Sequence, residues 1–288
     1  MNEGIITKLI GGIYTIKTKP NQRVSMKPRG LFRHENIDPR VGDIVLFDDD
    51  VIREVKPRKS MLHRPAIANV DQAFLISSAK NPAFSFFLLD RFLLHCEHAN
   101  IEPIIVINKI DLLNVDELEA FKASFKHYEA YYKVYYISAK EAQSLSPLKH
   151  EFKDKVSVFA GQTGSGKSSI LNALDPSLKL KTQSISKALG RGKHTTRHSE
   201  LIELFDGLVA DTPGFSKLNF EGFEAQDVKT AYIDFEELSD ACKFRGCLHL
   251  QEPKCAVKLA VENHQIPKLR YENYVRIQTE VSEMKRRY

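Results

Sequence analysis

The chain has 288 residues, with 42 Lys+Arg against 37 Asp+Glu for a formal charge of +5, and 42% of its residues are hydrophobic. That balance belongs to a globular protein with room for two or three domains and excludes a wholly disordered chain, a collagen or a coiled coil. No apolar run approaches the roughly 18 residues of a membrane span, the start MNEGIITKLIGG lacks a secretory pattern, and 4 Cys are too few for a disulfide scaffold, so a cytoplasmic protein with no membrane partner is expected.

Residues 1–63 alternate in short apolar runs: Gly4–Ile10, Ile13–Thr18, Val24–Lys27, Asp43–Asp48 and Val51–Val55. Turn-like stretches such as Lys19-Pro20-Asn21 and Asp38-Pro39-Arg40 separate them. Short strands of this kind with no helix among them predict a small β-barrel. Such barrels are frequent oligonucleotide binders, but a fold does not by itself assign a ligand.

Residues 64–218 change period. Strands are predicted over Val70–Ser77, Ile101–Ile107, Lys133–Ile137 and Val156–Ala160, alternating with helices over Leu88–His98, Asp116–Tyr131 and Ser168–Leu174. Two further strands, Glu200–Phe205 and Leu208–Ala210, are expected to join in a hairpin turn at Asp206-Gly207. The alternation predicts an α/β domain whose mostly parallel sheet carries helices on both faces. Residues 219–288 read as a helical domain built around a Cys/His cluster and ending in a long charged helix, Pro267–Tyr288.

The string Gly161-Gln162-Thr163-Gly164-Ser165-Gly166-Lys167-Ser168 fits G-x-x-x-x-G-K-[ST] between a strand and a helix. Its glycines let backbone N–H groups wrap phosphate oxygens, Lys167 supplies positive charge to the β- and γ-phosphates, and Ser168, with Ser169 beside it, sits at the helix N-terminus to hold Mg²⁺. A phosphate loop alone accommodates ATP or GTP. Asn108-Lys109-Ile110-Asp111, directly after a buried strand, is the discriminating element. The Asp111 carboxylate can accept from the N1 and N2 groups of guanine, whereas adenine would leave it unsatisfied. Asn108 braces the loop and the Lys109 stem covers the base. Ser138-Ala139-Lys140, after the next strand, is the companion whose backbone N–H meets guanine O6.

Asp211-Thr212-Pro213-Gly214 fits the D-x-x-G element, with Asp211 reaching Mg²⁺ through water and the Gly214 N–H touching the γ-phosphate. Upstream, the polar stretch Gly190–Arg197 is placed as a switch loop, in which Thr195 or Thr196 completes the Mg²⁺ shell. Phe215 stands where many such proteins carry a Gln that orients water, so intrinsic hydrolysis is expected to be slow, with His194 as the internal candidate for the missing role. Lys181, Lys187, Arg191, Lys193 and Arg197, and at the end Lys285, Arg286 and Arg287, are basic clusters that suit either an anionic partner such as RNA or a solvated surface.

The elements occur in permuted order, with N-K-x-D and S-A-K before the phosphate loop and D-T-P-G last. The segment after D-T-P-G therefore runs straight into the C-terminal region, which predicts coupling between γ-phosphate sensing and that region. There Cys242, Cys247, His249 and Cys255 form C-x4-C-x-H-x5-C, a donor set that suits one closed, structural Zn²⁺. Chelation is expected to unfold this region and spare the nucleotide site. Cys96 reads as a core residue and His264 as a surface or helix-end residue.

The small barrel, the permuted element order and the C-x4-C-x-H-x5-C cluster together resemble the ribosome small subunit-dependent GTPase A family (RsgA, also called YjeQ or YloQ) over essentially the whole chain. The resemblance implies an N-terminal OB-fold, binding to the small ribosomal subunit and its rRNA late in maturation, and GTP hydrolysis that the subunit stimulates and that promotes release. It also implies a hydrophobic residue at the Phe215 position and a catalytic proposal for His194. Ser165 departs from the Val common at that place. Gly164 stands where potassium-activated relatives carry Asn, so no potassium dependence is expected. A monomer that cycles between GTP and GDP is the expected form. Two other readings are a GTP-gated RNA-binding switch with incidental hydrolysis, and a P-loop ATPase in which Asp111 is irrelevant.

Overall fold

The computed structural model describes residues 1–19, 22–48, 51–63, 66–178, 200–210 and 218–285. The predicted N-terminal strands form as β1 (Asn2–Ile10), β2 (Ile13–Thr18), β3 (Arg23–Pro28), β4 (Ile44–Asp48) and β5 (Val51–Val55), closed into a barrel in the order β1-β2-β3-β5-β4. All its pairings are antiparallel except β3 with β5. Alternation drives closure: Ile6, Ile16, Val45 and Ile52 point inward and are fully buried. Asp43, also fully buried, accepts from Arg58 Nε at 2.7 Å and from the Arg40 N–H at 2.7 Å, which ties down the loop entering β4.

A short hairpin of β6 (Met61–His63) and β7 (Ala66–Ala68) follows. The remaining strands are β8 (Gln72–Ser78), β9 (Glu102–Asn108), β10 (Lys133–Tyr136), β11 (Val156–Ala160), β12 (Leu201–Leu204) and β13 (Gly207–Ala210), in one sheet of order β10-β9-β8-β11-β13-β12. β10 with β9 and β11 with β13 are parallel pairs, while β12 with β13 is antiparallel. β8, β9 and β11 are buried along nearly their whole length, as strands covered on both faces must be. The helices are α1 (Phe86–His98), α2 (Val115–Glu129), α3 (Ser146–Lys149), α4 (Lys167–Leu174), α5 (Ala225–Ala231), α6 (Ile233–Ser239), α7 (Ala256–Glu262) and α8 (Lys268–Lys285). No helix among the described residues is long and apolar enough to cross a membrane.

The hairpin turn differs from its sequence expectation by one residue. Phe205 and Asp206 take the positive φ values, +47° and +60°, and Gly207 is already in β13. A Cβ at Gly207 would overlap the Phe152 carbonyl, so this glycine is needed for close approach rather than for the turn.

Two compact units result. The first comprises Met1–Phe74, Ala139–Ala160 and Gly166–Ser216, and the second Leu75–Ser138, Gly161–Ser165 and Lys217–Tyr288. In the first, Phe74 stacks on Phe152 and Phe159 beneath β11, with ring centroids 4.8 and 5.0 Å away. Buried Gln72 there donates to the Glu151 carbonyl at 2.7 Å and to Ser157 Oγ at 2.9 Å. In the second, α1, α5, α6, α7 and α8 surround a core that includes Leu94, Phe220, Tyr232, Phe235 and Tyr274.

Candidate nucleotide site and metal centre

Loops of the second unit that are far apart in sequence are fastened to one another here. Asn108 ends β9 in a buried position, and its Nδ2 donates to the Ser165 carbonyl at 2.9 Å. Lys109 takes the left-handed conformation at φ +65°, which turns the chain out of the strand and aims its ammonium at the Gly164 carbonyl, 2.7 Å away, and at the Asn81 carbonyl. The N-K-x-D turn therefore buttresses the phosphate loop. The parallel register of β9 and β10 continues past the strand ends, with the Ile137 N–H on the Ile107 carbonyl at 2.8 Å and the Ile110 N–H on the Ile137 carbonyl at 3.3 Å. That register puts S-A-K beside N-K-x-D. Ser138 is wholly buried and its Oγ donates to Asp111 Oδ1 at 2.8 Å, while Asp111 itself is exposed. A carboxylate oriented by a buried hydroxyl is held in a fixed direction, as recognition of a base edge requires. Ala139 is half-buried and Lys140 exposed.

The phosphate loop leaves β11 at Gly161, φ +139°, where a Cβ would overlap the Ile76 carbonyl oxygen of β8. Only glycine passes that close to the neighbouring strand. Gly164 and Gly166 also have positive φ, +83° and +102°, and the Ser165 N–H closes a turn onto the Gln162 carbonyl at 3.2 Å. Gln162, Thr163 and Gly164 are exposed, and Ser165 is buried with no hydrogen-bond partner for its Oγ among the described residues. α4 then begins at Lys167, with Ser168 and Ser169 half-buried in its first turn. Burial lowers Lys167 to about 8, a penalty on the ammonium that an arriving phosphate would reverse. His194, Thr195, Thr196, Asp211, Gly214 and Phe215 lie outside the described residues, as do the basic residues of 179–199 and 286–288. Of the Mg²⁺ set, Ser168 alone is described.

Support from Lys80 and Asn81 was not foreseen from sequence. The Lys80 ammonium pairs with Glu117 at 2.9 Å, and Glu117 forms the capping box of α2 with Asn114. The loop after β8 thus holds the N-K-x-D turn through Lys80 and Lys109 together. The sequence reading singled out neither Lys80 nor Asn81, because nothing local says what this stretch touches.

In the C-terminal module the ligand atoms of Cys242, Cys247, His249 and Cys255 all lie within 4.8 Å of one another. Cys242 Sγ is 3.9 Å from Cys255 Sγ, and His249 Nδ1 is 3.6 and 3.3 Å from those two sulfurs. A tetrahedral ion with Zn–S bonds of ~2.3 Å has edges of about 3.8 Å, so this donor set fits one metal ion with no open position. Cys96 is a buried core residue, and His264 is exposed just after α7.

Comparison with known proteins finds relatives along the whole chain. A family model described as RsgA N-terminal domain matches residues 3–54, and one described as RsgA GTPase matches residues 55–221. The small ribosomal subunit biogenesis GTPase RsgA 2 of Oceanobacillus iheyensis is 51% identical over 294 residues, covering 100% of both chains. The RsgA of Bacillus subtilis is 46% identical over 300 residues, again covering 100% of both. Among solved structures, YloQ, described as a circularly permuted GTPase, superposes with TM-score 0.87 at 43% identity over 100% of this chain and 97% of that one. YjeQ from Thermotoga maritima gives 0.86 at 36% identity over 97% and 98%.

Proposed function

The chain belongs to the RsgA GTPase family and is therefore a GTP hydrolase; from that premise we propose that it binds the small ribosomal subunit and its rRNA late in assembly. Hydrolysis is slow in the free protein, is stimulated by the subunit, and promotes release. The protein works as a cytoplasmic monomer in three segments, a barrel over 1–63, a GTPase domain over 64–218 and a metal-bearing helical domain over 219–288. Residues 161–169 hold the phosphates, Lys167 neutralising their charge. Asn108, Lys109, Asp111 and the 138–140 turn select guanine. Ser168, Asp211 and one of Thr195 and Thr196 hold Mg²⁺, which offsets charge developing on the phosphates. Gly214 senses the γ-phosphate and His194 stands in for the absent glutamine. The Cys242, Cys247, His249 and Cys255 ion is a structural Zn²⁺.

The observation that carries this reading is the bracing of the guanine-reading turn against the phosphate loop, Asn108 on Ser165 and Lys109 on Gly164. That arrangement sets base and phosphate recognition at a fixed separation. The test is GTP and ATP turnover with and without purified small subunits across salt concentrations. Stimulated GTP turnover that weakens with salt is expected, since phosphate contacts release counterions. Asp111→Asn should move preference from guanosine to xanthosine nucleotides. Equal use of ATP, or no change with Asp111→Asn, would overturn the guanine assignment. Nucleotide-controlled RNA binding without stimulation would make the protein a switch instead.

A further inference from the structure

We infer that Lys80 and Glu117 are positioning residues for guanine recognition: their ion pair gathers the back of the N-K-x-D turn and holds the Asp111 carboxylate where it meets both donors of the guanine edge. This deepens the proposed reading of guanine by Asp111 and rests on it.

The turn is gripped at both ends from one short loop. At its front, the Ala79 N–H donates to the Asn108 carbonyl at 2.9 Å, one residue past the end of β8, and the Asn81 carbonyl accepts from the Lys109 ammonium. At its back, Lys80 Nζ lies 3.4 Å from the Leu112 carbonyl and donates to both Glu117 oxygens, at 2.9 and 3.0 Å. Glu117 Oε2 accepts from the Asn114 N–H at 3.0 Å, and Asn114 Oδ1 accepts from the Glu117 N–H at 2.8 Å. Lys80, and then the Asn114 N–H, hold the Glu117 carboxyl below its ordinary range, so the pair is ionic at neutral pH. Asp111 stands between the two grips, after Lys109 and directly before Leu112. Ser138 orients one of its oxygens, but a hydroxyl on a single oxygen does not fix the backbone that carries it.

Two donors ask more of a carboxylate than one does. Guanine offers N1–H and N2–H, whereas hypoxanthine offers only the first, so preference between these bases reads the second bond. A loosened turn can follow one donor, but meeting two fixes its angle as well, and ordering it on binding costs conformational entropy. Lys80 and Glu117 are 46% and 42% exposed in their side chains. A pair that open adds little to global stability and is screened by salt. Its loss should therefore change base preference while leaving the fold in place, which separates positioning from structural support.

The experiment uses the full chain as parent, Lys80→Gln, Glu117→Gln and the double variant. Glutamine also completes a capping box, so Glu117→Gln removes the charge and keeps the cap. Affinities for GDP and for inosine diphosphate are measured at about 50 and about 500 mM salt, with melting temperature and metal content. Taking their ratio cancels the diphosphate contacts, which salt also weakens. Each single variant should lose about threefold of the preference for GDP at low salt, with inosine diphosphate affinity within about twofold of the parent's. The double variant should lose no more than either single one, since both remove the same pair. High salt should bring the parent's preference down to that of the variants and leave theirs in place. A natively melting, metal-loaded variant with an unchanged ratio overturns the inference. Equal losses for both nucleotides, or losses that add in the double variant, overturn it as well. If Lys80→Gln does not fold, Glu117→Gln decides by the same ratio. A parent that binds inosine diphosphate as well as GDP would overturn the guanine assignment itself, and this inference with it.

Discussion

His249 reaches the neighbouring sulfurs through Nδ1, which leaves Nε2 facing Ser239 Oγ at 3.2 Å. With Nδ1 on a metal, Nε2 carries the proton and donates to that hydroxyl. Ser239 in turn lies 3.1 Å from the Glu236 carboxylate, which pairs with the buried Lys229 at 3.3 Å. Outer partners of this kind fix the ring and its tautomer, and losing one typically costs about 10–100-fold in metal affinity. Ser239→Ala should therefore speed metal transfer to a competing chelator by about tenfold or more; a rate equal to the parent's would mean that Ser239 merely adjoins the ring. The cysteine–histidine cluster was legible in the sequence because its spacing is local, and the N-K-x-D and G-x-x-x-x-G-K-S strings were legible for the same reason. Ser239, Arg91 and Lys80 were not. Each is an ordinary polar residue on a helix or loop until the fold supplies a partner, which for Arg91 is Leu218 and Glu280, far along the chain.

Four helices of the second unit meet at a buried ion cluster. Arg270 of α8, 2% exposed, pairs with Asp90 of α1 and with Asp234 of α6, the latter at 2.9 Å. His127 of α2 adds Nε2 at 2.8 Å from Asp234, Tyr128 donates to Asp90 at 2.8 Å, and Asn273 donates to Asp90 at 2.6 Å. Burial raises Asp90 despite these partners. Burial also pushes Asp234 upward, but Arg270 and His127 outweigh it and hold the carboxyl at about 2. Removing one partner of such a cluster leaves buried charge uncompensated, typically at about 3–5 kcal/mol, so Arg270→Met should destabilise the protein by that order. The pH dependence has a definite sign. In the parent, the depressed Asp234 contributes stability at neutral pH that is lost only as pH falls from near 4 towards 2. Without Arg270, its folded-state pKa rises above the unfolded value, the folded state binds the extra proton, and stability increases as pH falls. The deficit of Arg270→Met should thus narrow between pH 7.5 and 5.5 in urea titrations; a constant deficit would show that the carboxylates find other cations. At this scale the sequence placed β2, β5 and β11 at their observed limits and the helices α1, α2 and α8 within a few residues, because their periodicity is long or regular. It missed β6 and β7 and did not resolve α5, α6 and α7, which are 7 residues each and owe their helicity to packing. It read α8 as a long charged helix without telling which of its charges would be buried, since a buried arginine and a solvated one look alike in a string of letters.

At the scale of the whole molecule, domain order and permutation were legible because the motifs are ordered punctuation. The way core is shared was not, since a boundary drawn at a composition change says nothing about packing. Spacing alone treats Cys242 to Cys255 as a self-contained loop, and that is why chelation was expected to spare the nucleotide site. The packing argues differently. Leu94 of α1 belongs to the same buried cluster as Cys247 and Cys255, together with Phe235, Tyr274 and Ile277. Tyr271 and Tyr274 of α8 also donate to the carbonyls of His249 and Leu248, each at 2.8 Å, so the ligand loop is stitched to the helix that packs on α1. Pulling out the ion leaves buried thiols and an imidazole without the bonds that closed the loop, and the core they cap loses its lid. The barrel has a separate core of its own around Ile6, Ile16, Val45 and Ile52. Metal removal should therefore expose α1 and α8 amides to hydrogen exchange while β1 to β5 keep their protection, and GDP affinity should fall as the disturbance of α1 reaches β9, on which it packs and which ends at Asn108. If α1 protection and GDP affinity both survive complete chelation, the shared core carries no coupling, and the metal module stands alone as its spacing suggests.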